Sequence, residues 1–292
     1  MGRGIHSSFT LWRYAGSVHR PSVRRLTVIL ALAFLGAVAA FWSIVRPSND
    51  RDWVPEQAIL PLAQIDGEDV LITNVRNSFY RSTTDFDVRF EDRSYDLSEL
   101  STVWFVMEPF SDFRGAAHTF LSFGFEGGEY VSISVEIRKE RDEAFSMWKG
   151  ILRQYELMYV IGDERDLIGL RANHRHDDVY VYPMRATPDQ ARALFLSMLD
   201  RTNRLAERPE FYHTLWNNCT TNIIAHVNDL VPETIPKSWK VLFPGASDRL
   251  AYELKLIETD LPFEASRERF HVNDRAAMFA DDPDFSRRIR EE

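Results

Sequence analysis

Cysteine is almost missing from this chain: Cys219 is the only one in 292 residues. No disulfide can form within the chain, so stability has to come from packing and hydrogen bonds. Internal repeats and low-complexity tracts are also absent, which excludes solenoid and array architectures. Positive charge is scarce beyond the N-terminus. Residues 1–50 hold six Arg and one Asp, so the formal total of −9 leaves −14 on residues 51–292. A domain that acidic has no electrostatic footprint for a phosphate backbone, and nucleic acid is not expected as a partner. Hydrophobic runs long enough to cross a bilayer are missing everywhere except near the start.

That exception comprises residues 26–45, twenty positions without a charge, about 30 Å long as a helix. Arg3, Arg13, Arg20, Arg24 and Arg25 precede it with no acidic residue, which keeps that end cytoplasmic and exports the rest of the chain. Ala37-Val38-Ala39 resembles a small-residue cleavage site, so a removed signal peptide competes with a retained anchor. The apolar run continues through Phe41, Trp42, Ile44 and Val45, which favours the anchor. The exported part, about 240 residues, is large enough for one domain with a real core.

Residues 46–72, with three prolines and mixed charge, read as a linker, and a mixed α+β pattern begins beyond it. Val103-Trp104-Phe105-Val106-Met107 suits a buried strand. Residues 118–125 and 130–138 both alternate, with Thr119, Leu121, Phe123 and Phe125 on one face of the first and Val131, Ile133, Val135 and Ile137 on one face of the second. A three-residue loop Gly127-Gly128-Glu129 would pair Phe125 with Val131 and Phe123 with Ile133. His118 then stands opposite Arg138, with Glu136 a diagonal neighbour on the same face. Phe145, Trp148, Leu152, Tyr155 and Tyr159 predict a helix over 142–159. Residues 178–184 alternate as a strand. Thr187-Pro188-Asp189-Gln190 is a capping-box start for a long helix, and a shorter helix is expected near 246–257, ahead of a charged tail.

Asn217-Asn218-Cys219-Thr220-Thr221-Asn222 precedes Ile223-Ile224-Ala225, so Asn218 is placed as N-cap and Cys219 in the first turn. Free N–H groups and the helix dipole favour a thiolate there. The competing reading is a small apolar residue filling the core. A cysteine nucleophile needs a base and a group to orient that base. His118, on the polar face of a strand with Glu136 near, is the first choice and His213 the second. His226, seven residues past Cys219 on the same helix, is about 10 Å away along the axis. His174-Arg175-His176-Asp177-Asp178 reads as a polar loop; no metal and no cofactor is called for.

Four stretches in order resemble the Lnb N-terminal periplasmic domain family: His118 to Phe125; Ile133-Ser134-Val135-Glu136-Ile137-Arg138-Lys139-Glu140; Arg153-Gln154-Tyr155-Glu156; and Asn217 to Asn222. A strand histidine ahead of a helix-start cysteine is similar to the circularly permuted papain-like fold. The resemblance implies an α+β domain of that type, an antiparallel sheet packed on helices behind one N-terminal transmembrane helix. It implies Cys219 as nucleophile and His118 as base for thiol acyl transfer, with a lipoprotein or another lipid-linked molecule of the envelope as substrate. Glu136 is expected to orient His118, Asn218 and Thr220 to frame an oxyanion site, and Arg138 to meet a substrate phosphate or carboxylate. The expected organisation is a cytoplasmic basic segment 1–25, an inner-membrane anchor 26–45, the linker 46–72, a periplasmic papain-like domain 73–232 and an extension 233–292 packed on it. A cell-wall peptidase or amidase and a non-catalytic envelope scaffold are the alternatives.

Overall fold

The computed structural model describes residues 23–110, 115–231, 235–236 and 244–291. It divides into two compact units, Met1–Arg46 and Pro47–Glu292. The first contains α1 (Val23–Ile44), which covers most of the apolar segment. Among the described residues no helix is long and apolar enough to cross a membrane. Arg3, Arg13 and Arg20, expected to set the orientation of that segment, lie outside the described residues.

The second unit carries β1 (Leu62–Asp66), β2 (Asp69–Arg76), β3 (Phe79–Tyr80), β4 (Phe86–Asp87), β5 (Phe90–Asp96), β6 (Leu100–Pro109), β7 (Ala117–Phe125) and β8 (Tyr130–Arg138). Then come α2 (Met147–Ile151), β9 (Glu156–Gly162), α3 (Glu164–Gly169), a π-helical turn Leu170–Arg175, β10 (Tyr180–Pro183), α4 (Pro188–Glu207) and α5 (Cys219–Leu230). Four short helices close the chain: α6 (Ser247–Glu253), α7 (Phe263–Phe270), α8 (Asn273–Met278) and α9 (Phe285–Arg288). Eight strands form one sheet in the order β1-β2-β9-β8-β7-β6-β10, with β5 also on β2. All its pairings are antiparallel except β2 with β9. The architecture is mixed α and β, as the alternating and helical stretches predict.

Both faces of the sheet are covered, which is why every residue of β7 is buried. Leu121, Phe123 and Phe125 join Phe195 of α4 and Ile223 of α5 in one core. Phe120 turns the other way, to Leu167 and Ile168 of α3 and to Phe285 and Ile289 near the C-terminus. Arg290 closes that second layer by pairing with the fully buried Glu164. The stretch expected as a charged tail is therefore folded against the sheet.

Three local expectations change. The β7–β8 loop is Glu126-Gly127-Gly128 rather than 127–129, because the Phe125 N–H donates to the Glu129 carbonyl and both glycines adopt positive φ. Phe123 consequently faces Val131 and Leu121 faces Ile133, two residues from the expected register. The apolar faces stay together because a two-residue slip preserves alternation. The helix over 142–159 shrinks to α2; Arg153, at φ 56°, ends it, and the apolar run from Leu157 continues as β9. Residues 46–72 are not a free linker, since they supply β1 and the start of β2 and bury Trp53 and Gln57.

Candidate functional site

The cysteine helix starts where local chemistry says it should. Asn218 is the N-cap: its Oδ1 accepts from the Thr221 N–H at 2.9 Å, while its own N–H donates to Thr221 Oγ1 at 2.9 Å. Its Nδ2 holds the preceding loop through the Thr214 carbonyl, 2.7 Å away. Cys219 occupies the first turn, 5% exposed, so its own N–H and that of Thr220 have no intrahelical acceptor. Thr220 Oγ1 lies 3.1 Å from Thr119 Oγ1, fixing the helix start to β7.

The sheet opens at that point. The β7–β8 ladder ends with Phe120 and Ser134, so the Thr119 N–H, which this register directs at β8, is released from the ladder. It lies against the Cys219 sulfur instead. His118 is on the adjacent position of β7. Glu108 of β6 is its cross-strand partner, and the β8 register extended by two positions sets Glu136 on its other side.

The imidazole Nε2 is 2.7 Å from Ser134 Oγ and 3.3 Å from Glu136 Oε1. Ser134 donates its hydroxyl proton to Glu136 at 2.8 Å, so it accepts from the imidazole. That arrangement leaves Nδ1 for the thiol, whose proximity favours the charged imidazole. Arg171, 3% exposed, bridges both flanking carboxylates, with Nε 2.6 Å from Glu108 and NH2 2.9 Å from Glu136.

Charge follows this geometry. Burial alone would push His118 down, but the Glu136 carboxylate and the thiol hydrogen bond raise it from 6.5 to about 9. Burial would push the Cys219 thiol up, yet His118 and the Thr119 amide bring it from 9.0 down to about 7. Burial likewise opposes ionisation of Glu136, and His118 followed by Arg171 holds it well below the usual carboxylate range. Each group favours the charged form of the other, so the pair leans toward thiolate beside imidazolium. Glu108 stays low beside Arg171, while burial and the proximity of Glu108 raise Asp177 to about 6.

Two cavities flank the pair. One of about 570 Å³ contains Cys219, His118 and Glu136 together with Arg76, Arg171 and Arg175. The other, about 190 Å³, lies beyond the Thr119–Thr220 pair and is lined by apolar groups including Phe105, Leu121, Ile223 and Leu250.

Of the residues expected at the site, Cys219, His118 and Glu136 come together and Asn218 and Thr220 frame them. Arg138 does not reach it. Its guanidinium, 2% exposed, donates to the Gln57 and Ala58 carbonyls and to Asn49 Oδ1 and covers the Trp53 ring, and burial lowers it to about 10. Arg138 is a clamp on residues 47–58. His213 is committed elsewhere, accepting from the Leu215 N–H at 3.1 Å and stacking on Trp216. His226 is buried between Tyr159 and Ser197, held neutral by burial at about 4. Arg171 and Glu108 were not anticipated. Each stands as one charge inside an apolar run, Leu170-Arg171-Ala172 and Val106-Met107-Glu108, which is the only signal they leave. Among the described residues no group of three or more His, Cys, Asp or Glu could hold a metal ion.

A mixed α and β domain with a helix-start cysteine, a strand imidazole and a carboxylate beside it defines a protein with a thiol–imidazole centre. The family model for the Lnb N-terminal periplasmic domain matches residues 86–245, and the chain belongs to that family. The matched region contains His118, Glu136, Arg171 and Cys219. No curated protein and no solved structure matches the chain.

Proposed function

We propose that the protein is a membrane-anchored periplasmic thiol acyltransferase of permuted papain-like type, acting on a lipid-linked ester. The carrying observation is the polarised Cys219–His118–Glu136 array beside an apolar cavity. In the first step the Cys219 thiolate attacks the ester carbonyl and forms a C–S bond. The oxyanion is received by the Cys219 and Thr220 N–H groups. Collapse breaks the C–O bond, and the imidazolium gives its Nδ1 proton to the departing alkoxide. An amine or water then loses a proton to His118 and attacks the thioester, restoring the thiolate. A lipoprotein amino group fits the acceptor role that the family resemblance implies.

Anchoring rests on the sequence of residues 26–45, twenty positions without a charge behind a basic segment, and not on any described helix. Holding enzyme and ester on one surface raises their effective concentration. The cavity of about 570 Å³, lined by polar and charged groups of both signs, favours a second reading, a cell-wall amide hydrolase for which a peptide carboxylate would meet Arg175. Product analysis separates them. Full-length protein incubated with envelope membranes should yield a lyso-lipid or N-acylated product that the Cys219→Ala chain does not make. Loss of peptide cross-links with intact lipid would reject acyl transfer in favour of the second reading.

A further inference from the structure

Phe145, Trp148, Leu152, Leu215 and Trp216 are all large, apolar and exposed, the two indoles by 72% and 62%. They come from two segments that touch. Thr214 Oγ1 donates to the Met147 carbonyl at 2.9 Å, and a Cβ on Gly150 would meet Thr214 Oγ1 and the Tyr212 ring. The His213 ring, stacked 3.5 Å from Trp216, fixes that indole. The surface therefore spends five large side chains that no core uses. A contiguous exposed patch of this kind marks an interaction site, and indoles with an apolar body and one polar N–H suit the boundary between headgroups and acyl chains.

Two further observations say what covers it. Phe145 packs edge-on against Phe110, and both line the cavity that holds Cys219 and His118, as does Tyr212. Phe145 thus joins the patch to the rim of the cleft. The same region receives the chain where it enters the folded unit. The Ser48 N–H donates to Glu156 Oε1 at 3.2 Å and Arg51 pairs with the same carboxylate at 2.8 Å. Glu156 in turn bridges to Phe211, and the Tyr212 N–H donates to the Tyr155 carbonyl. Only Val45 and Arg46 separate Pro47 from the last residue of α1.

We propose that this surface is a membrane-docking face, with Trp148, Trp216, Phe145, Leu152 and Leu215 seated in the interfacial layer of a bilayer and the mouth of the Cys219 cleft presented to lipid. The proposal rests on the anchored-enzyme reading above. A bilayer is the occupant because the cleft rim and the point where the chain enters from a 22-residue apolar helix share one end of the unit. The net charge of −14 beyond residue 50 makes the attachment apolar, so it does not depend on anionic lipid.

The test uses the full-length Cys219→Ala chain in phosphatidylcholine vesicles with and without brominated acyl chains. Trp148→Phe/Trp216→Phe in the same background isolates, by difference, the emission of the two indoles while keeping the apolar surface. That component should be quenched severalfold more by bromine in the lipid than by aqueous acrylamide, and added anionic lipid should leave the ratio unchanged. Quenching by acrylamide with indifference to bromine would overturn docking, and protection from both quenchers would place a protein on this face and overturn it too. Retention of the chain in vesicles after a carbonate wash reports the anchor separately: a retained chain with water-accessible indoles rejects docking alone. Turnover enters neither readout, so an inactive thiol would leave the result standing.

Discussion

Glu136→Gln removes one charge and little volume from the centre, and its effect can be worked from the geometry. At 3.3 Å from His118 Nε2 the carboxylate stabilises imidazolium by about 5 kcal/mol at an effective dielectric of about 20. Burial of His118 opposes this. The balance, an imidazole raised from 6.5 to about 9, corresponds to about 3 kcal/mol in favour of the charged form, shared between Glu136 and Cys219. A glutamine keeps an acceptor for Ser134 but supplies no charge, so the imidazole becomes neutral at lower pH and the thiol loses its counterion. Cys219 should therefore titrate well above about 7, toward the ordinary thiol range, and thiolate at pH 7 should fall by about tenfold. The assay is the rate of iodoacetamide alkylation against pH, which is unambiguous here because no second cysteine competes. An alkylation profile identical to that of the native chain, in a variant whose unfolding midpoint shows it intact, would refute the proposed coupling.

Arg171→Met strands the buried Glu108 and removes a partner from the part-exposed Glu136, and should cost about 3 kcal/mol or more in urea unfolding, with Cys219 alkylation slowed. Arg138→Met should also destabilise, by about 2–4 kcal/mol through lost charged hydrogen bonds to residues 49, 57 and 58, but should leave the alkylation pH profile unchanged. Asn218→Ala removes the cap of α5 and should lower stability by about 1 kcal/mol, read from the same denaturation. His118 has a raised folded pKa, so its stabilising contribution is complete below about 6.5 and is lost as pH rises through about 9. The stability difference between the native chain and His118→Ala should narrow across that window.

The parts of this site that the sequence makes readable are those governed by near neighbours. Asn218 and Thr221 form their capping box within four residues, as do Thr187 and Gln190 of α4, so both helix starts are plain from residue type. The pairing of His118 with Glu136 survives an incorrect loop because alternation keeps both on one face through a two-residue slip. What fails depends on partners distant in sequence. Arg138 and Arg171 are equivalent by composition, and only the segment 49–58 on one and the π-helical turn carrying the other make the first a clamp and the second the bridge between Glu108 and Glu136. The spacing from Phe145 to Tyr159 imitates a helical core stripe, yet Tyr155 and Tyr159 are buried while Phe145, Trp148 and Leu152 face outward. That contrast is legible only after β9 has found its place in the sheet beside β8.

The most direct measurement is the mass of the tryptic peptide containing Cys219 after the full-length protein meets an activated short-chain ester at pH 8. A neutral-hydroxylamine-sensitive acyl adduct on Cys219, at least about tenfold weaker in His118→Ala, is the expected result. An unmodified Cys219, or an adduct formed equally well without His118, would contradict the assignment of this pair as nucleophile and base.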